Sequence, residues 1–216
     1  MLKVFFTVLL LTGFFYGQVE SPERTVEGTA VVSSRNPKVR IELPKASQYV
    51  GADRWILYAM DDCELHAFVE ADEHNHVRRL YWVQFEAYLP SRPELKHRYN
   101  SPLHAILGGL DFYVDTWVWR KDEKTTPGSD EEHLLALLRS KGYSMPNSMM
   151  EVRLVHLMDT KRKELMVIYG EDLAATGYTA EQLQKGGQAH DLWPAIQGQL
   201  IQRVEQKIHI ENAAQP

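Results

Sequence analysis

Cys63 is the only cysteine among the 216 residues, so an intramolecular disulfide is excluded and stability has to come from packing. Asp61, Asp62 and Glu64 surround this thiol with negative charge, which disfavours a thiolate; Cys63 therefore reads as a small core residue rather than a nucleophile. Positive charge is also scarce. Lys and Arg number 24 against 29 for Asp and Glu, a formal charge of −5 with a pI near 6.0. A general binder of phosphate backbones needs a basic surface, so nucleic acid is not an expected partner. Long hydrophobic runs are missing as well. The longest, Val4 to Tyr16, spans 13 residues, against the roughly 20 that a helix needs to cross the hydrocarbon core. Absent too are a G-x-S-x-G elbow, a Gly-rich phosphate loop, C-x-x-C, C-x-x-C-H and HExxH spacings. The commonest hydrolase, nucleotide, redox, haem and zinc-protease readings lose their support, and no motif names a reaction.

What is present begins with an export pattern. Lys3 followed by the apolar run resembles a signal peptide over residues 1–17, with Gly17 the best final residue although bulky Phe14, Phe15 and Tyr16 precede it. The expectation is an exported chain, periplasmic or extracellular, with no stable membrane span once the leader is removed. Residues 18–37 carry Ser, Pro, Glu, Gly and Asn with little periodicity and read as a linker, with a hint of strand only at Thr29 to Ser33. Residues 38–212 then read as one domain.

Within that domain, short runs of β-branched and aromatic residues between turn signals predict strands at Lys38–Leu43, Asp53–Met60, Cys63–Ala71, Val77–Leu89, Asp111–Arg120, Met149–Met158 and Lys163–Tyr169. The short connections at Asp61-Asp62 and at residues 72–76 imply hairpins and antiparallel neighbours. Residues 90–110 form a long connection with Pro90, Pro93, Pro102 and Gly108-Gly109, and Leu103–Leu107 reads there as a short helix. Ser129 with Glu132, and Thr179 with Gln182, fit helix starts, and Pro194 opens a long closing helix whose Ile196, Leu200, Ile201, Val204 and Ile208 make one apolar stripe. The fold class is therefore α+β: a single domain with an antiparallel sheet of about six to seven strands, packed against the long C-terminal helix and one or two shorter ones.

Strand parity supplies the candidate site, because residues two apart share a sheet face. Parity gathers Trp82, Gln84, Glu86 and Tyr88 with Tyr113, Asp115, Trp117 and Trp119, and His66 is placed on the same mixed face. Aromatic walls with a few polar groups suit a ligand pocket, while the same rings equally suit a layer buried under helices and the long loop. Glu86, Asp115 and His66 are the acid/base candidates if they converge. For a metal, Glu70, Asp72, His74 and His76 in one hairpin offer suitable ligand types, though a solvated turn carries the same residues. Lys161-Arg162-Lys163 reads as a solvated turn. The expected role is non-catalytic binding of a small or amphiphilic molecule on the aromatic face, with no cofactor. The alternatives are an enzyme using the carboxylates or His66 in the same cavity, and an envelope interaction or assembly protein with a protein partner.

Overall fold

The computed structural model describes residues 21–212, so the leader pattern of residues 1–17 lies outside the described residues. Part of the segment read as a linker is strand. β1 (Thr25–Glu27), β2 (Ala30–Ser33) and β3 (Val39–Glu42) pair antiparallel, and β11 (His209–Asn212) joins β3 to give a small sheet ordered β1-β2-β3-β11.

The large sheet has seven antiparallel strands: β4 (Gln48–Leu57), β5 (Asp61–Ala71), β6 (Val77–Tyr88), β7 (Leu103–Leu107), β8 (Leu110–Arg120), β9 (Ser148–Met158) and β10 (Lys163–Asp172). Its order is β4-β5-β6-β10-β9-β8-β7. Two meanders, β4-β5-β6 and β7-β8-β9-β10, are thus joined where β10 pairs with β6. The connection from β6 to β7 has to cross three strands, β10, β9 and β8, to reach the far edge, which accounts for the length of residues 89–102.

Two turns differ from the sequence reading. Leu103–Leu107 is strand rather than helix: Leu107 pairs with Leu110 across Gly108 and Gly109, whose φ values of +58° and +76° make the primed turn that suits a two-residue hairpin. A Gly-Gly pair supplies both left-handed positions without a Cβ penalty, and that signal outweighs the helix-like spacing of Leu103 and Leu107. The first hairpin turns at Tyr58 and Ala59, with φ of +48° and +57°, which leaves Asp61 and Asp62 inside β5.

α1 (Asp130–Ser140) starts as expected. Ser129 Oγ accepts the Glu132 N–H, and Glu132 reaches past Ser129 to accept the Gly128 N–H. α2 (Ala180–Leu183) is a single turn with a complete capping box between Thr179 and Gln182. α3 (Trp193–Lys207) has Pro194 in its first turn and buries Leu200 and Val204. None of the helices among the described residues is long and apolar enough to cross a membrane.

Both faces of the large sheet are covered. α3 and the small sheet pack on one, where Leu200, Val204, Ile41 and Ile210 meet Phe68, Phe85, Phe112, Val152, Leu154 and Val167. α1 packs on the other, where Leu134 and Leu138 meet Leu65, Ala67, Val69, Leu80 and Val155. The C-terminal helix therefore covers one side as the sequence implies, and the mixed face is enclosed too.

Candidate functional site

Antiparallel register decides which side chains share the α1 face, since directly opposed residues point the same way. Cys63, Glu86 and Glu164 are opposed in sequence across β5, β6 and β10. One row on, Leu65, Gln84, Met166, Val155 and Tyr113 align; the next holds Trp82, Ile168, Arg153 and Asp115, and beyond it Glu151 opposes Trp117. Eight of the nine pocket candidates from the sequence therefore share one face: Trp82, Gln84, Glu86, Tyr88, Tyr113, Asp115, Trp117 and Trp119. His66 is the exception. It opposes Val83, on the α3 side, where its Nε2 lies 2.9 Å from Glu64 Oε1 and the Tyr49 hydroxyl is 3.4 Å from its Nδ1. Glu64 in turn accepts the N–H groups of Glu23 and Arg24; burial alone would raise its pKa, but these bonds and His66 hold it down to about 2. His66 thus helps fasten the amino-terminal end of the described chain to β5.

The α1 face carries a chain of polar contacts. Trp82 Nε1 donates to Gln84 Oε1 at 2.7 Å, and Gln84 Nε2 donates to Glu86 Oε1 at 2.6 Å. The long connection then lays His97 and Tyr99 across the sheet. His97 stacks on Tyr88 with ring centroids 4.3 Å apart, and its Nδ1 lies 3.1 Å from Glu164 Oε2. The Tyr99 hydroxyl is 3.0 Å from both Glu164 oxygens, and its ring lies 5.0 Å below the Arg153 guanidinium, which pairs with Asp115 at 2.8 Å. Arg162 holds this connection down, donating to the carbonyls of Tyr88, Leu89, Arg92 and Leu95. The basic turn is therefore not simply solvated, because its middle residue is a clamp. Arg162→Ala is expected to free the connection at a cost of about 2 kcal/mol, since three half-buried carbonyls and an exposed one lose a charged donor. Hydrogen exchange at His97 and Tyr99 would read the loosening, and unchanged protection there would remove the clamp.

Burial dominates the electrostatics. It pushes the Asp61 carboxyl up to about 7, aided by the charge of Asp130. Glu164 also rises to about 7, with burial ahead of the opposing Tyr99 hydrogen bond and the added charge of Asp61. Glu86 is held well above the carboxylate range by burial and then by Glu164 across the strand pair. His97 is lowered to about 4 by burial, so its contact with Glu164 is that of a neutral imidazole. Burial likewise raises the Cys63 thiol and keeps it protonated. Donor atoms of Glu86, His97 and Glu164 lie within 4.8 Å of one another, as do those of Asp61, Cys63 and Glu86.

Beside this cluster, between α1 and the sheet, is a cavity of about 180 Å³. Trp82, Trp117 and Trp119 wall it, and Asp130, Glu131, Glu151 and Arg153 reach it. Glu151 is 6% exposed, and burial followed by the charge of Glu131 pushes its carboxyl up to about 8, with Trp117 opposing in part. Trp119 Nε1 donates to Glu131 Oε1 at 2.6 Å. Asp130 Oδ1 is buried without a hydrogen-bond partner.

No known family, curated protein or solved structure matches the chain. The site is therefore read from its own chemistry. The acid/base trio does not assemble: His66 is on the opposite face, and Asp115 on β8 is three strands from Glu86 on β6. Of the hairpin set, the structure brings one carboxylate to one imidazole, Asp72 Oδ2 lying 3.3 Å from His76 Nδ1, and does not gather the rest around them. Glu70 binds Arg79 and Tyr81, Asp72 accepts the N–H groups of His74 and His76 and pairs with Arg78, and both imidazoles are exposed. Glu151, Arg153 and Glu164 were open to the same parity argument, since β9 and β10 alternate like β6. His97, Tyr99 and Asp130 sit in a loop and at a helix start, where no periodicity marks the direction of a side chain.

Proposed function

We propose that this is an exported, non-catalytic binding domain that takes a small organic cation, an amine or quaternary ammonium, in the tryptophan-walled cavity under α1. The observation that carries the reading is an excess of acidic groups inside an aromatic enclosure: Asp130, Glu131 and Glu151, the last ionising only near pH 8, face one guanidinium, Arg153, which is already paired with Asp115. Indole faces attract cations by their quadrupole, more strongly when water is excluded. The unpartnered Asp130 Oδ1 adds an acceptor ready for an N–H donor. At about 180 Å³ the cavity suits a ligand well below drug size. Export enters this reading from the apolar run of residues 4–16 that follows Lys3.

Titration of the intrinsic tryptophan fluorescence with tetramethylammonium and with butylamine tests it, with the neutral isosteres neopentane alcohol and butanol as comparators. Saturable quenching by the cations, weakened at least about tenfold by Trp117→Ala with the circular dichroism unchanged, is expected. Equal binding of the neutral isosteres, or no saturation by either cation, would end the cation reading.

A further inference from the structure

We propose that Glu86, His97 and Glu164, with Asp61 as the fourth ligand, form a buried site for one divalent transition-metal ion of the zinc class. Glu86 and Glu164 stand directly opposite each other on β6 and β10, and they are 8% and 2% exposed. The two can be ionised together only with a cation between them, because like charges in that position repel and burial removes the water that would screen them. A divalent cation is the direct remedy, and the donor set for one is in place.

His97 stands between two carboxyls. Its Nδ1 is 3.1 Å from Glu164 Oε2, and its Nε2 is 3.7 Å from Asp61 Oδ2, too far for a hydrogen bond. His97 Nε2 and Asp61 Oδ1 are both buried without a partner, in residues 7% and 3% exposed. Buried polar atoms are almost always satisfied, so two unsatisfied ones in a facing pair of residues mark a missing third party. Donor atoms of Glu86, His97 and Glu164 lie within 4.8 Å of one another, and Glu86 is common to a second such group with Asp61 and Cys63, whose thiol burial keeps protonated and out of the ligand set. Tetrahedral bonds of about 2.0–2.2 Å to nitrogen and oxygen put two ligand atoms roughly 3.3–3.6 Å apart, so closing this set on one ion draws the carboxylates inward and turns the imidazole until a single ring nitrogen faces all three of them.

One imidazole and three carboxylates suit Zn²⁺, with Mn²⁺ the nearest competitor. The surrounding bonds are those of a ligated centre. Tyr99 donates to both oxygens of Glu164, and Gln84 donates to Glu86, fixing how each carboxylate points. The His97 N–H donates to the Lys161 carbonyl at 2.8 Å, which, with the Arg162 clamp, holds the imidazole over the sheet. Four protein ligands and no open position describe a structural ion, one that staples the connection of residues 89–102 to β6 and β10.

The test uses the full chain, treated with a chelator, dialysed, and equilibrated with Zn²⁺ or Mn²⁺. One Zn²⁺ per chain by elemental analysis is expected, with a rise in Tm and weaker retention of Mn²⁺. His97→Ala should weaken Zn²⁺ at least about 100-fold, and Tyr99→Phe about tenfold. Because loss of the imidazole can also disturb the loop, Glu86→Gln and Glu164→Gln provide the decisive pair. Both relieve the opposed charges and are expected to fold, yet each should weaken Zn²⁺ at least about tenfold. His74→Ala with His76→Ala, and Glu151→Gln, should leave the stoichiometry at one, which separates this ion from the surface hairpin and from the cation cavity. Absence of stoichiometric Zn²⁺ in the folded wild type would overturn the proposal. So would retention of the ion at unchanged affinity in both glutamine variants, or its loss with the two hairpin histidines.

Discussion

Gly108→Ala is expected to destabilise the fold by about 3 kcal/mol. Two effects combine. The φ of +58° is unfavourable to a side chain, and a Cβ there would sit 2.1 Å from the carbonyl oxygen of Ile210 on β11. Backbone on one side and backbone on the other leave no flexible atom to yield. Gly142→Ala is the control: its φ is +80° and no atom lies within 4 Å of the added carbon, so only the left-handed preference is lost, about 1 kcal/mol. Denaturant midpoints of the two variants measure the difference. Equal losses would mean that β11 gives way and that the β7–β8 turn is not wedged against it.

Glu151→Gln is expected to grow steadily more stable than the parent as pH rises. In the native protein this carboxyl holds its proton up to about pH 8, whereas in the unfolded chain it ionises near the ordinary value of 4.5. Between those values the native state binds one proton more than the unfolded state, so stability falls as pH rises through that window. This single group contributes about 1.4 kcal/mol per pH unit there. Glutamine removes the slope, and the gap between variant and parent should widen by about 4 kcal/mol from pH 5 to pH 8, then level off. Other buried carboxyls act equally in both proteins and cancel from the difference. Parallel stability profiles would show that Glu151 is ionised in the native state at ordinary pH. The same ionisation predicts the ligand chemistry: the charged carboxylate is the form that attracts a cation, so affinity should rise with pH toward 8 and lose that dependence in the glutamine variant.

Parity made most of the pocket legible in the sequence, because a period of two survives without any knowledge of strand order. Trp82 with Gln84 and Glu86, and Trp117 with Trp119, could each be placed on one face of their own strand from alternation alone. Merging the faces of different strands was another matter. Whether Glu64-His66-Phe68 or Cys63-Leu65-Ala67 joins Trp82 and Gln84 depends on the register of β5 against β6, and that register follows from the turn of residues 72–76, where Asn75 takes a φ of +60°, and from a register shift between Glu70 and Ala71 that alternation does not reveal. The Gly108-Gly109 turn did carry its signal, which the helical spacing of two leucines obscured. His97 and Tyr99 belong to a connection whose direction is set by long-range contacts, among them those of Arg162 from the β9–β10 turn, and local sequence holds no record of those.

The pairing of β3 with both β2 and β11 also fixes an order of events. Strands β4 to β10 can associate with one another as they appear, each finding its partner within the same stretch of chain, but Arg40 and Ile41 must wait for residues 209–212. Closing so long a loop is entropically slow compared with forming any of the hairpins. During vectorial synthesis the apolar face that will meet Ile210 and Leu200 therefore stays uncovered until those residues emerge, a period in which a chaperone has the most to protect.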